Sequence, residues 1–203
     1  MTDVAIVTGA SSGLGLEIAR LLEARGLTVI DVSRRTLGDA SLPETAHAAL
    51  DLAHAAGNLR LLVNCAGAGI YGPAGSYDTP TIRRLIDANL IATIVFCNAV
   101  FPLFRASGSG TIVNVLSTAA LTGKPNETVY CAAKWGARGY TEALRAEAKG
   151  TGVRILAASP GGMRTPFWPT ARTEFMDPQE VAKVIVDAAF AGVGVAEVVI
   201  QRT

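Results

Sequence analysis

Two residues beyond the middle of the chain have the types and spacing for proton chemistry. In "VYCAAK", Tyr130 and Lys134 stand four positions apart, which on a helix puts both side chains on one face. A phenol is a poor acid–base catalyst at its ordinary pKa of about 10. A neighbouring ammonium favours the phenolate, so the pair could pass a proton to or from a carbonyl oxygen. On an exposed helix the same spacing would mean nothing, so its surroundings decide. Upstream, "GTIVNVLSTAA" reads as a strand that ends at Ser117, thirteen residues before Tyr130, and adds a hydroxyl.

A second constellation lies at the other end of the chain. "TGASSGLG", residues 8–15, follows the apolar run Val4-Ala5-Ile6-Val7 and places Gly9, Gly13 and Gly15 before a helical pattern. Strand, glycine turn and helix together gather unpaired N–H groups and the positive end of a helix dipole at one point, where a phosphate fits. The spacing Gly-x3-Gly-x-Gly is a variant of the dinucleotide fingerprint. A glycine-rich turn can also serve only to reverse the chain.

The second strand bears on which dinucleotide. An acidic residue about 20 positions beyond such glycines accepts hydrogen bonds from the adenosine ribose and repels a phosphate there. "LTVIDVSRRT" instead ends in Ser33, Arg34 and Arg35. A small neutral residue followed by a guanidinium suits a 2′-phosphate and favours NADP(H). Asp31 would tilt the preference to NAD(H) if it, rather than Ser33, reached the ribose; a solvated basic loop is the plain alternative.

The elements that must position these groups alternate along the chain. Apolar runs predict strands near 4–8, 27–33, 60–64, 111–116, 153–158 and 196–200; helical stretches fall near 14–25, 43–56, 78–105, 127–149 and 178–190. Val, Ile and Leu runs without period-two alternation are expected of strands buried on both faces. The pattern predicts an α/β fold: a doubly wound parallel sheet in three α/β/α layers, one domain across residues 1–203. Asp177-Pro178-Gln179-Glu180 supplies a cap, a first-turn proline and early acidic charge for the last helix. In an open parallel sheet, ligands bind outside the carboxyl ends of the strands. Ser117, the glycine turn and "NCAG" at 64–67 all fall there.

Composition narrows the partners. The chain has 203 residues, half of them hydrophobic, and a formal net charge of +1, which invites neither nucleic acid nor a solvating acidic tail. Small molecules or copies of itself are the expected partners. Cys65, Cys97 and Cys131 are odd in number and widely spaced, so they read as small buried hydrophobes rather than a disulfide or zinc framework. His47 and His54, seven apart with no third ligand nearby, read as exposed helix residues, and no metal site is expected. The start of the chain carries Asp3 and no secretory pattern, so a cytoplasmic location is expected. "LIATIVFCNAVFPLF", residues 90–104, is interrupted by Asn98 and Pro102 and is shorter than the ~20 residues a bilayer requires; it reads as a core or subunit-contact helix, with no membrane role.

Taken together these residues resemble the short-chain dehydrogenase/reductase family. The resemblance rests on Thr8-Gly9-x3-Gly13-x-Gly15, Asn64-Cys65-Ala66-Gly67, Asn89, Ser117, Tyr130-x3-Lys134, and Pro160-Gly161 followed by Thr165, in that order over positions 4 to 165. "PQEVAKVIVDA" and "EVVIQRT" look like the tail of NADP-dependent hydroxy-acid dehydrogenases within it. The resemblance implies a Rossmann fold and an NADP(H)-dependent oxidoreductase. It makes Tyr130 the proton donor in reduction and the base in oxidation, with Lys134 lowering its pKa and holding the nicotinamide ribose. Ser117 would bond the substrate oxygen, and Asn89 would hold a water linking Lys134 to solvent. Gly9, Ser11, Ser12, Gly13, Leu14 and Gly15 would line the phosphates and adenosine, with Ser33 and Arg34 at the 2′-phosphate. Asp39 would meet the adenine. Asn64, Ala66 and Gly67 would flank the ribose, and Pro160, Gly161, Met163 and Thr165 would close over the nicotinamide. Hydride transfer is the cofactor's chemistry; the protein positions and polarises the carbonyl.

Two departures from the family pattern set further expectations. Only four residues separate Arg34 from Asp39, which predicts that a covering helix between the second and third strands is missing and the adenine site more exposed. The stretch 165–177, "TPFWPTARTEFMD", is short for a substrate lid and predicts a shallow or open site with Phe167 and Trp168 as candidate apolar walls. No charged residue can be assigned to a substrate pocket from sequence. A carbonyl reductase or alcohol dehydrogenase is the leading reading; a non-catalytic NADP(H) sensor or scaffold is the alternative from another class. The long helices at 78–105 and 127–149 resemble those that pair across a two-fold axis in the family, which predicts a homodimer or homotetramer.

Overall fold

The computed structural model describes residues 2–168 and 173–202. Strands β1 (Asp3–Thr8), β2 (Thr28–Val32), β3 (Asn58–Asn64), β4 (Gly110–Val115), β5 (Val153–Pro160) and β6 (Glu197–Ile200) form one parallel sheet in the order β2-β1-β3-β4-β5-β6. Alternate residues of each strand feed opposite cores, as the pleat requires. Val4 and Ile6 pack on the face carrying α2 (Pro43–Ala56), α4 (Ala92–Ser107) and α5 (Thr128–Glu147); Ala5 and Val7 face α1 (Gly13–Ala24) and α6 (Pro178–Ala189). The expected doubly wound α/β/α architecture is present.

The register aligns the ends that matter. Thr8 pairs with Val32 and Asn64, Asn64 with Asn114, and Val115 with Ala158, so the chain leaves the sheet toward the same side after β1, β2, β3, β4 and β5.

Between β2 and β3 the chain makes a single helical crossover. Helix α2 occupies that crossover and buries Thr45, Ala46, Ala49 and Ala53 against the sheet. What is absent is one covering helix, as expected, and a strand with it: doubly wound dinucleotide folds place a third strand outside the second and so run two helical crossovers there, whereas here the chain turns from β2 directly into α2 and returns to β3, leaving β2 at the sheet edge. The short Arg34–Asp39 spacing signals that lost strand.

Helix α3 (Thr79–Ile86) runs through a π-turn at Asp87–Ile91 into α4, a continuous 29-residue helix from Thr79 to Ser107. It is long and apolar enough to cross a membrane by length and composition. Asn98 and Pro102, which interrupt the apolar run, both face outward without breaking the helix expected over 78–105, while Phe96, Val100 and Phe104 are fully or almost fully buried against the sheet. Burying each such ring favours folding by about 1.5–3 kcal/mol. Asp177 caps α6 through its side chain, accepting from the Gln179 N–H at 2.9 Å, as its sequence signature predicts.

Candidate active site

The turn after β1 is built from backbone that only glycine tolerates. Gly9 has φ +74°, and a Cβ there would meet the Ala66 Cα at 2.9 Å; Gly13 has φ +56°, with Thr165 3.2 Å from where a Cβ would sit. A side chain on Gly15 would run into the Gly9 carbonyl oxygen, so α1 can start hard against the strand. At its N-cap, Ser12 makes no side-chain capping bond, and no acidic residue occupies the first turn. The leading N–H groups of α1 are therefore free to meet an anion in the cleft. Glycine cradle and uncapped helix end fit a dinucleotide pyrophosphate.

The cleft above this turn has a volume of about 720 Å³. Gly9, Ser11, Ser12, Gly13, Leu14, Gly15, Ser33, Arg34, Asp39, Ala66 and Gly67 border it, and so do Asn89, Ser117, Tyr130, Lys134, Pro160, Gly161, Met163 and Thr165. Asn64, the remaining predicted member, lies beneath its floor. It donates to Asn114 at 2.9 Å and to the Cys97 sulfur at 3.3 Å, and its Oδ1 has no partner among the described residues. Ser33 is tied back to Thr36 through its N–H at 2.9 Å, leaving the exposed Arg34 on the rim. Asp31 does not border the cleft. The Asp39 carboxylate accepts from the Ser41 N–H and hydroxyl at 2.9 and 2.8 Å, which forms the turn leading into α2.

Four groups converge at the far end. Ser117, just beyond β4, accepts from the Ala119 N–H at 3.1 Å, which fixes its hydroxyl at the mouth of the sheet. Tyr130 and Lys134 sit on the same face of α5, the Lys134 Nζ 5.9 Å from the Tyr130 ring centroid. The ammonium donates to the Val115 carbonyl at 3.1 Å. Asn89 lies in the π-turn, a distortion common at functional sites. It donates to the Ala68 and Leu85 carbonyls at 2.8 and 2.9 Å, and its Oδ1 lies 2.8 Å from where a Gly67 Cβ would be. A side chain at 67 would crowd the Asn89 amide oxygen from this wall.

Electrostatics here run opposite to the simple expectation for Tyr130. Burial pushes the phenol well above its ordinary range; hydrogen bonding from Ser117 works against that rise, and Glu127, Cys131 and Cys65 add to it. Lys134 does not set the direction. Its own pKa is pulled down to about 8, again by burial, so in this dry corner each group first loses its solvation. Cys65 is half-buried rather than a core residue, and its thiol is pushed up to about 12 by burial, against the pull of Lys134. Cys97 and Cys131 are buried, as expected; His47 and His54 are exposed, and no metal-ligating cluster occurs among the described residues.

Residues 169–172 of the predicted lid lie outside the described residues. The base of the segment is stapled by a Met163–Met176 bridge and by Arg164, which donates to the Phe175 carbonyl at 2.7 Å and to Asp177 at 2.8 Å. Phe167 reaches back over Tyr130, ring centroids 5.9 Å apart, and Tyr130 is only 7% exposed. Phe167 thus covers Tyr130 at this end of the cleft. Charge is present too: Lys124 and Glu127 border this end of the cleft, with Lys124 donating to Thr118 at 2.9 Å and burial raising the Glu127 pKa. Sequence reasoning missed these two, because their loop positions have no periodicity or motif that would single them out.

Comparison with known proteins gives consistent results. The family model described as short chain dehydrogenase matches residues 36–175, more than half of the chain. Cyclohexanol dehydrogenase of Acinetobacter sp. is 32% identical over 226 residues, covering 92% of this chain and 89% of that protein. Ketoacyl reductase HetN of Nostoc sp. is 34% identical over 177 residues, 77% of this chain, which spans only 62% of that relative. The solved structure of 3-ketoacyl-(acyl-carrier-protein) reductase from Brucella melitensis, complexed with NADH, superposes with a TM-score of 0.89 at 24% identity over 97% of this chain and 96% of that one.

Proposed function

The chain belongs to the short-chain dehydrogenase/reductase family of nicotinamide-dependent oxidoreductases, and on that premise we propose that it transfers a hydride between NADP(H) and the carbonyl or alcohol carbon of a small molecule. The observation that carries this reading is the convergence of Ser117, Tyr130 and Lys134 on the same cleft as the glycine turn, at the carboxyl ends of adjacent strands. A protein that only bound nucleotide would not need the three at that point.

When bound, the nicotinamide supplies or accepts the hydride. The chain's residues handle the rest. Ser117 and Tyr130 offer hydroxyls to the substrate oxygen, and Tyr130 gives up its proton to that oxygen during reduction. Burial favours the protonated phenol, so Tyr130 rests as an acid. Lys134, held by the Val115 carbonyl, would donate its remaining N–H bonds to the cofactor ribose and place positive charge near the phenolate left after proton transfer. Asn89 closes the end of the cleft beside Lys134. At the other end, the N-terminal turn of α1 with Ser11 and Ser12 receives the pyrophosphate. Arg34 would hold the 2′-phosphate, Asp39 would meet the adenine, and Pro160 to Thr165 would close over the nicotinamide.

Arg34 on the rim and the placement of Asp31 away from the cleft support NADP(H) over NAD(H). Leu103 and Trp135, each half exposed on α4 and α5, support a homodimer or homotetramer built on those helices; light scattering at micromolar concentration tests it. The chain acts as one domain in this reading. To test the function, the purified protein is incubated with NADPH and a panel of ketones, aldehydes and quinones. Turnover that Tyr130→Phe lowers by at least about 100-fold supports it. Tight cofactor binding without turnover moves the assignment to a cofactor sensor.

A further inference from the structure

The α3 wall of the cleft carries two cations that the catalytic reading leaves unused. Arg83 and Arg84 border the cleft and are exposed, and neither makes a hydrogen bond or ion pair with any described residue. Elsewhere Arg138, Arg145 and Arg164 each hold a carboxylate, of Glu197, Glu142 and Asp177. The helix turns one stripe to the cleft, Pro80, Arg84, Ala88 and Ala92, each four residues from the last. Residues 66–68 tie this wall to the glycine turn: a Cβ on Gly9 would lie 2.9 Å from the Ala66 Cα, and the Ala68 carbonyl accepts from Asn89 at 2.8 Å. Two residues of chain, at most about 7 Å, span that step. Arg84 stands five residues before Asn89, about 7.5 Å along the helix. Charge is lopsided here as well. The cleft is bordered by Arg34, Arg83, Arg84, Lys124 and Lys134 against Asp39, Asp87 and Glu127. Asp39 is engaged with Ser41, and Glu127 feels Lys124 at the catalytic end. Asp87 alone stands near the two arginines, and α3 keeps an excess of positive charge. Unpaired guanidinium groups beside a ligand cleft suit a phosphate.

We propose that Arg83 and Arg84 form a second phosphate-binding element of the cleft, which grips the pyrophosphate of the dinucleotide from the α3 side while the start of α1 receives it from the other. The uncapped N-terminus of α1 supplies about half an elementary charge, less than a pyrophosphate diester carries, so the group calls for cations beyond the glycine turn. No other arginine of the α1, β3 or α3 walls borders the cleft among the described residues. Arg34 lies on a different wall, after β2, and answers to the 2′-phosphate that only NADP(H) has. The α3 pair answers to the phosphates that NADP(H) and NAD(H) share, so it adds affinity for both without choosing between them.

This inference rests on the reading of the cleft as a nicotinamide-dinucleotide site. The test is calorimetric titration of NADPH and NADH, at about 0.15 M salt, into the natural protein, the double variant Arg83→Gln/Arg84→Gln, and Arg105→Gln. Arg105 is an exposed α4 arginine that does not border the cleft. Glutamine keeps helix propensity, and the sites are exposed, so the unliganded melting temperatures should match. The expected result is that the double variant binds both cofactors at least about fivefold more weakly, with the NADPH-to-NADH ratio unchanged, while Arg105→Gln stays within about twofold of the natural protein. A smaller loss in the double variant overturns the proposal, and so does a loss that Arg105→Gln reproduces. A loss confined to NADPH also overturns it, because the arginines then serve the 2′-phosphate. A natural protein that binds neither dinucleotide ends the cofactor reading and this inference together. One that binds them but reduces no carbonyl compound ends the hydride-transfer reading alone, and the comparison of affinities still decides the α3 arginines.

Discussion

The Lys134 ammonium donates to the Val115 carbonyl at 3.1 Å while standing 5.9 Å from the Tyr130 ring centroid, so one cation is anchored to the sheet and held beside the phenol. Both groups are nearly enclosed, Lys134 at 5% and Tyr130 at 7% exposure, and that enclosure governs their titration.

Lys134 is expected to cost the unliganded protein stability. Its pKa falls from 10.5 in the unfolded reference to about 8 when folded, so the unfolded chain binds more protons between those values. The cost is full below about pH 8 and fades as pH rises through that window toward 10.5. Lys134→Met should therefore raise stability at neutral pH by about 3 kcal/mol at most, each pKa unit being worth about 1.4 kcal/mol. The gap in denaturant-unfolding free energy should close in alkali, while activity is lost.

Ser117 works against the rise of the Tyr130 pKa. In Ser117→Ala the phenol keeps its proton more tightly, so the rising limb of the pH–rate profile for alcohol oxidation should move to higher pH. Loss of one of two donors to the substrate oxygen should also lower kcat by roughly 100-fold in both directions. Steady-state profiles of kcat/KM and kcat measure both effects.

Arg34 carries the cofactor preference. Arg34→Ala should weaken NADPH relative to NADH by roughly 10- to 100-fold, the value of charge-assisted bonds to a phosphate. Asp31→Asn should leave the ratio as it was, because that side chain does not border the cleft. Calorimetric titration of both cofactors reads this out, and an unchanged ratio in Arg34→Ala would assign the protein to NAD(H).

Gly9 and Gly26 separate backbone strain from steric contact. Both have positive φ, +74° and +84°, but a Cβ at Gly26 meets nothing within 4 Å while one at Gly9 lies 2.9 Å from Ala66. Gly26→Ala should lose about 1 kcal/mol for conformation alone. Gly9→Ala should lose at least about 1 kcal/mol more and weaken cofactor binding as well. Thermal melting with and without NADPH distinguishes the two.

Much of this architecture was legible in the residues alone. Val, Ile and Leu runs, glycines at fixed offsets, and the cap before Pro178 are local signals, because strand burial, positive φ and helix initiation are decided within a few residues. The Tyr130–Lys134 spacing and the strand end at Ser117 likewise follow from helix and sheet periodicity. Helix α2 was visible at 43–56, and the short Arg34–Asp39 link signalled that a covering helix had been lost. That a strand went with it shows in the pairing order of the sheet.

The amino-acid order by itself determined the family motifs, the alternation of elements and the side of the sheet on which the chemistry must gather, since each depends on short-range geometry. Only the tertiary structure decided that Phe167 lies over Tyr130, that Tyr71 and Gly69 meet across the cleft wall, that Asp31 lies off the cleft, and that burial outweighs the ammonium in setting the phenol's pKa. Those outcomes depend on which distant segments share a solvent-free volume. Desolvation and ring packing are properties of that volume and of no single stretch of chain.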